Sequence, residues 1–169
     1  MNIPTREQCY ELFKKYQTPG NVIKHCECVN KTAVFLAKKL KEAGVDINVD
    51  VIDAASLLHD IVRLETPHSK IGAEILERES YPEVAKCVKT HGYNSINLLE
   101  SWEQKVVHYA DKRATNKIIS LKERSEGWMK KYPKDVESIK KHTIRTLELE
   151  KEIFNKLDFK PEELKELVK

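Results

Sequence analysis

The run Val51-Ile52-Asp53-Ala54-Ala55-Ser56-Leu57-Leu58-His59-Asp60-Ile61-Val62 constrains this chain more than any other stretch. Its apolar residues lie almost all the way round a helical wheel, and a helix without a polar face is buried on every side. His59 and Asp60 sit inside it. An imidazole and a carboxylate in such a place are costly to bury unless compensated, and a bound cation is the usual compensation. The His-Asp step alone is weak evidence. With six histidines and seven aspartates, roughly a quarter of shuffled chains would contain one. The step needs partners from other segments.

Helical periodicity supplies them. Thr5 is placed to cap a first helix through Cys9, Leu12, Phe13 and Tyr16, stopped by Thr18-Pro19-Gly20. Asn21 is expected to cap a second, whose apolar positions Val22, Cys26, Val29, Ala33, Leu36 and Leu40 recur at three and four and end near Gly44. His25 shares that face. Residues 46–50 read as a loop, with Asp50 capping the His-Asp helix. Pro67 interrupts the chain, and a helix from His68 or Ser69 carries Ile71, Ala73, Ile75 and Leu76. Pro82 opens another through Val84, Ala85 and Val88 to an inward His91.

After a loop at Tyr93-Asn94, a helix carries Leu99, Trp102, Val106, Val107 and Ala110, with Asp111 also facing inward. Ile118, Ile119, Leu121 and Trp128 continue helical spacing after a break near Thr115-Asn116. A long helix then carries Val136, Ile139, Thr143, Leu147, Ile153, Phe154 and Leu157, and Pro161 opens a short one with Leu164, Leu167 and Val168. No run alternates as a strand would. The expected fold is all-α: one domain over residues 1–169, a motif core at 21–117, and helices of 118–169 packed on it.

Composition narrows the function classes. A chain 40% hydrophobic and 34% charged suits a soluble globular protein. A net charge of +3 is too small to argue for nucleic acid. No apolar run approaches a membrane span, and the first residues hold no apolar signal core, so a cytoplasmic location is expected. Cys9, Cys26, Cys28 and Cys87 lack zinc spacing and read as small buried hydrophobes, with a redox-sensitive Cys26 beside His25 as the alternative.

Five segments thus direct His25, His59 with Asp60, His68, His91 and Asp111 inward. Each taken alone reads as a hydrogen-bonded core residue. Taken together they strain that reading, because few inward bases are available to neutralise the carboxylates. The order His25, His59-Asp60, Asp111 resembles the signature of the HD superfamily of metal-dependent phosphohydrolases. Ser56 to Arg63, His68-Ser69-Lys70-Ile71-Gly72-Ala73 and Tyr109-Ala110-Asp111-Lys112 resemble its HDIG-type subgroup, with Ile61-Val62-Arg63 where that subgroup often has Ile-Gly-Lys.

The resemblance implies an all-α bundle with metal held between core helices. It implies one ion on His25, His59, Asp60 and Asp111, or two when His68 and His91 join and Asp60 bridges. Nitrogen-rich ligation suits iron, manganese, nickel, cobalt or zinc. The implied activity is hydrolysis of a phosphomonoester or phosphoanhydride by a metal-bound hydroxide, with Asp60 and Arg63 catalytic and a nucleotide, such as a dinucleoside tetraphosphate, as substrate. Arg63 and Lys112 are the expected phosphate ligands, within a segment 101–145 that carries twelve Lys and Arg against six Asp and Glu. His108, three residues before Asp111, is expected at the surface or the core edge, with a supporting place behind the ligands as the alternative, and His142 in a structural role. Two other classes share the ligand scheme: a di-iron oxygenase, and a non-catalytic nucleotide-sensing module. A small anionic substrate is the expected partner, membrane and nucleic acid are not, and a homodimer is left open.

Overall fold

In a computed structural model, which describes residues 1–168, the chain is 70% helical and has no strands. Lys169, the last residue of the expected domain, lies outside the described residues. The helices are α1 (Arg6–Lys15), α2 (Gly20–Glu42), α3 (Val49–Leu58), α4 (His68–Arg78), α5 (Pro82–Thr90), α6 (Trp102–Arg113), α7 (Leu121–Lys131), α8 (Val136–Phe154) and α9 (Leu164–Leu167). Short 3-10 helices precede α6 (Tyr93–Leu98) and α9 (Pro161–Glu163). No helix among the described residues is long and apolar enough to cross a membrane.

The apolar run takes the central place. α3 packs against α1, α2, α5 and α6, and Leu57 and Leu58 are wholly buried, each worth about 1.5–3 kcal/mol of transfer free energy. The run does not stay helical to Val62. α3 stops at Leu58, His59 takes the cap position, and the chain tightens into successive turns. Their bonds run from Ile61 N to Leu58 O (3.1 Å), Arg63 N to Asp60 O (3.0 Å) and Glu65 N to Val62 O (2.9 Å). His59 and Asp60 therefore project from the end of a buried helix and not from its flank.

Several boundaries differ from the sequence expectation. Asn48, not Asp50, caps α3, accepting from the amides of Asp50 and Val51 at 3.1 and 3.2 Å. Asp50 instead sits in the first turn, where an anion complements the helix dipole. Pro19, not Asn21, precedes α2, leaving the Asn21 side chain free of capping. Leu99 falls outside α6, which starts behind a Ser101–Gln104 capping box. Ile118 and Ile119 belong to a connection, not a helix. The Arg113 Nε holds the Ile119 carbonyl at 2.6 Å, and Ser120 caps α7.

The buried stripe of α8 is also rotated. It runs through Ile139, His142, Thr146, Leu149 and Ile153, while Ile144 and Leu147 are exposed. His142 is thus core, and so is His108, expected at the surface or the core edge; its Nδ1 meets the Thr90 carbonyl at 3.0 Å. At one point the packing is close enough to favour glycine. A Cβ on Gly72 of α4 would lie 3.3 Å from Val88 Cγ1 and 3.4 Å from Ile61 Cγ2, so those side chains would have to give by a few tenths of an ångström where α4 meets α5 and the turn after α3.

Candidate metal centre

Six side chains from five segments converge at one end of the bundle. α2 brings His25, the end of α3 brings His59 and Asp60, α4 begins with His68, the end of α5 gives His91, and α6 brings Asp111. Asp60 stands between two groups. Its Oδ2 lies 3.6 Å from His59 Nε2 and 3.8 Å from His25 Nε2. Its Oδ1 lies 3.2 Å from His68 Nε2 and 3.3 Å from His91 Nε2. Asp111 Oδ1 closes the first group, 3.1 Å from His25 Nε2 and 3.5 Å from His59 Nε2. Within His25–His59–Asp60, and again within Asp60–His68–His91, the potential ligand atoms all lie within 4.8 Å of one another.

The backbone fixes which nitrogen of each ring points inward. Nδ1 of His59 is 2.8 Å from the Ser56 carbonyl, that of His91 2.6 Å from Val88, and that of His25 3.1 Å from Thr115. A carbonyl only accepts, so each Nδ1 carries a proton and each neutral ring turns its Nε2 lone pair to the centre. Those lone pairs face each other: His25 and His59 Nε2 are 3.3 Å apart, His68 and His91 Nε2 3.2 Å apart. Two lone pairs at that distance need positive charge between them. A divalent ion supplies it, and so does a proton. Burial alone would lower the His59 pKa, but the Cys26 sulfur, Asp60 and Asp111 outweigh it and hold that imidazole well above its usual range.

The carboxylates are held ionised in the same way. Burial would raise the pKa of Asp60, yet the charge of the neighbouring His59 ring leads the effects that keep it well below the usual carboxylate range. Burial would likewise raise Asp111, and Lys112, His25 and His59 pull it well below. An ionised carboxylate between imidazole lone pairs is the donor set of a transition-metal site. The residues present fit divalent cations, and the chemistry of the donors does not choose among iron, manganese, nickel, cobalt and zinc.

The basic residues divide. Arg63, half exposed, donates from Nη1 to His68 Nε2 at 3.0 Å and lies 3.4 Å from Asp60 Oδ1, at the open side of the centre. Lys112, the other expected phosphate ligand, lines the cleft but is largely engaged within the protein. It is only 3% exposed and spends two N–H groups inside, on Asp111 Oδ2 at 2.6 Å and the His91 carbonyl at 2.8 Å. Its ammonium braces Asp111 and the end of α5.

The centre floors a cleft of about 730 Å³. Its further walls come from residues that sequence reasoning did not single out for the site: Tyr93, Arg124, Trp128, Tyr132, Asp135 and Ser138. Arg124 Nη2 reaches the carbonyls of Asp111 and, at 3.0 Å, Ala114. A helical-spacing argument marks Trp128 as apolar but cannot say that it faces the cleft. Cys26 is fully buried beside the centre.

The family model for the HD domain matches residues 22–116. That is more than half the chain, and it takes in all six converging residues; the chain belongs to the HD domain family. Among curated proteins it is similar to a dihydroneopterin 2',3'-cyclic phosphate phosphodiesterase of Methanocaldococcus jannaschii, 34% identical over 119 residues, covering 59% of this chain and 47% of that protein. It is similar to a tRNA (cytidine(56)-2'-O)-methyltransferase of Picrophilus torridus, 28% identical over 140 residues, covering 72% of this chain and 40% of that one. An uncharacterized protein of Methanocaldococcus jannaschii is 38% identical over 66 residues, covering 37% of this chain and 39% of its own length. The chain therefore spans between about two fifths and half the length of these relatives. No solved structure matches it.

Proposed function

We propose that the chain is a metal-dependent phosphohydrolase that cleaves a small phosphorylated substrate over a two-ion centre, with His25, His59, Asp60 and Asp111 on one ion and Asp60, His68 and His91 on the other. The observation that carries this reading is the division of Asp60, one oxygen to each pair of opposed imidazole nitrogens. Bound divalent ions supply an activated water and a clamp on the phosphoryl oxygens. In the reaction a water oxygen adds to phosphorus, the ester P–O bond breaks, and the departing oxygen takes a proton.

The chain's own residues set the geometry. Asp60 fixes the relation between the halves, and the carbonyls of Ser56, Val88 and Thr115 hold three rings in the ligating tautomer. Lys112 keeps Asp111 ionised, and Arg63 at the mouth receives a phosphate oxygen. Of the named relatives, the cyclic phosphate phosphodiesterase describes a reaction this centre is suited to perform, so a ribonucleoside-type cyclic phosphate is the first substrate class to test. The His68-x-x-x-Gly72-Ala73 sequence and the place of His68 favour the HDIG-type subgroup.

The test is turnover of aryl and nucleoside phosphoesters by protein reconstituted with manganese or iron(II), with metal content measured alongside. Hydrolysis that vanishes with chelator and in Asp60→Ala supports the reading. Full turnover by that variant overturns it.

A further inference from the structure

The cleft is far larger than a phosphate group, and its distal end is built differently from its floor. Tyr93, Trp128, Tyr132, Asp135, Ser138 and Ile139 line that end. Tyr93 is supported from behind, its ring stacked on buried His142 with centroids 4.1 Å apart and planes at 22°. It meets Trp128 edge-on at 5.6 Å, and the Arg124 guanidinium lies over the indole at 5.0 Å. Rings braced in this manner make a rigid aromatic wall, and flat heterocycles stack on such walls regardless of what carries them.

Asp135 gives the wall a direction. It holds the cap position of α8, where an aspartate ordinarily accepts from the first helical amides, yet its side chain makes no such bond. Asp135 is instead an exposed residue on the lining of the cleft, with no hydrogen bond from the helix amides. It also lies near the aromatic wall: burial raises the Tyr93 hydroxyl above its ordinary pKa, Ser138 pulls it back in part, and the Asp135 charge adds a smaller upward push. A carboxylate only accepts hydrogen bonds, and its two oxygens match an edge bearing two adjacent N–H donors. An exocyclic amine beside a ring N–H, as in a 2-amino-4-oxopyrimidine, is such an edge. Adenine and cytosine offer a donor beside an acceptor, and uracil a donor between two acceptors.

We propose that the distal lobe is a specificity subsite for a fused or single 2-amino-4-oxopyrimidine ring, held against the aromatic wall of Tyr93 and Trp128 and read by the carboxylate of Asp135. The inference rests on the hydrolase reading for its account of the phosphate end. It stands on the distal residues for the ring.

The test uses the full chain loaded with manganese. Turnover is measured on bis(4-nitrophenyl) phosphate and on guanosine and adenosine 2',3'-cyclic phosphates, and tryptophan fluorescence is titrated with the guanosine and adenosine monophosphates. The expected result is a KM at least about tenfold lower for the guanosine ester, with quenching by guanosine monophosphate at correspondingly lower concentration. Asp135→Asn, an exposed position that the fold tolerates, narrows the gap to less than about threefold, and Trp128→Leu weakens both nucleotides together. Aryl ester turnover without any preference between the two rings overturns the subsite and leaves the hydrolase reading standing. Preferential quenching by guanosine monophosphate with no turnover of any ester does the reverse. A preference that survives Asp135→Asn removes Asp135 from the reading.

Discussion

The two sides of Asp60 are built to different standards. On the Oδ2 side, His25 and His59 come from the long α2 and the end of α3, both seated in the core, and a carbonyl tethers each ring. Asp111 completes that side with Lys112 braced against it. On the Oδ1 side, His91 is tethered to Val88, but His68 is the first residue of α4, its side chain 26% exposed. Its inward nitrogen already accepts from Arg63, a residue half in solvent. One half is fixed by packing, whereas the other shares a lone pair with a movable cation. On the two-ion reading proposed above, the first half would hold its ion the more firmly and the second would exchange one, with Arg63 giving way as it binds.

The most severe way to break this contrast is Asp60→Ala, which removes a donor from both halves. It is expected to lower phosphoester turnover by at least about 10³-fold and to abolish stoichiometric metal uptake, read by elemental analysis after desalting. Next is Lys112→Met. Removing the ammonium takes from a buried carboxylate its nearest charge partner and leaves it to His25, His59 and Arg124, at a cost below the roughly 3–5 kcal/mol of a fully unpaired buried charge in the metal-free protein. Urea unfolding with and without manganese checks this, and the ion is expected to recover much of the loss by taking over the charge on Asp111.

His25→Ala and His68→Ala sharpen the contrast directly. The first is expected to empty the firm half. The second should leave one ion bound and weaken the other by about 10–100-fold, seen by calorimetric titration. Equal losses in the two variants would erase the distinction between the halves.

A smaller effect concerns the histidine behind the aromatic wall. Burial first, and then the Lys112 charge, lower His142 to about 4 in the folded protein. The unfolded chain takes up this proton near pH 6.5 and the folded one only near 4, so stability is complete above that window and falls as pH drops through it. The full loss is on the order of 3 kcal/mol. His142→Phe keeps the stacking partner and deletes a buried nitrogen that has no hydrogen-bond partner. Its unfolding free energy should therefore vary less between pH 7 and pH 4.5 than that of the natural chain.

Much of this architecture is legible in the sequence because periodicity and punctuation agree. Thr5, Pro82 and Gly44 mark helix ends that the structure reproduces, and the inward positions of His25, His91 and Asp111 follow from neighbours three and four residues away. What the sequence hides is tertiary. The apolar run leaves the helix at Leu58 because successive three-residue bonds close the chain before Arg63, a choice that composition does not reveal. Leu147 reads as core and faces solvent, since the rotation of α8 is set by where Tyr93 and Trp128 receive His142. Lys112 looks like a phosphate ligand until its ammonium is seen to be spent on Asp111. The distal wall comes from three separate segments, and no local pattern links Tyr93 to Trp128 and Asp135.

The uncapped start of α8 has a consequence for motion. Asp135, on the lining of the cleft, makes no cap bond and leaves the opening amides of α8 without the side-chain acceptor that would close them. Those amides, from Val136 to Ser138, should exchange with deuterium faster than the corresponding ones of α6 and α7, where Ser101 and Ser120 do the closing. The helix would then report occupancy of the distal lobe through a change in its exchange rate, at a place no metal ligand touches.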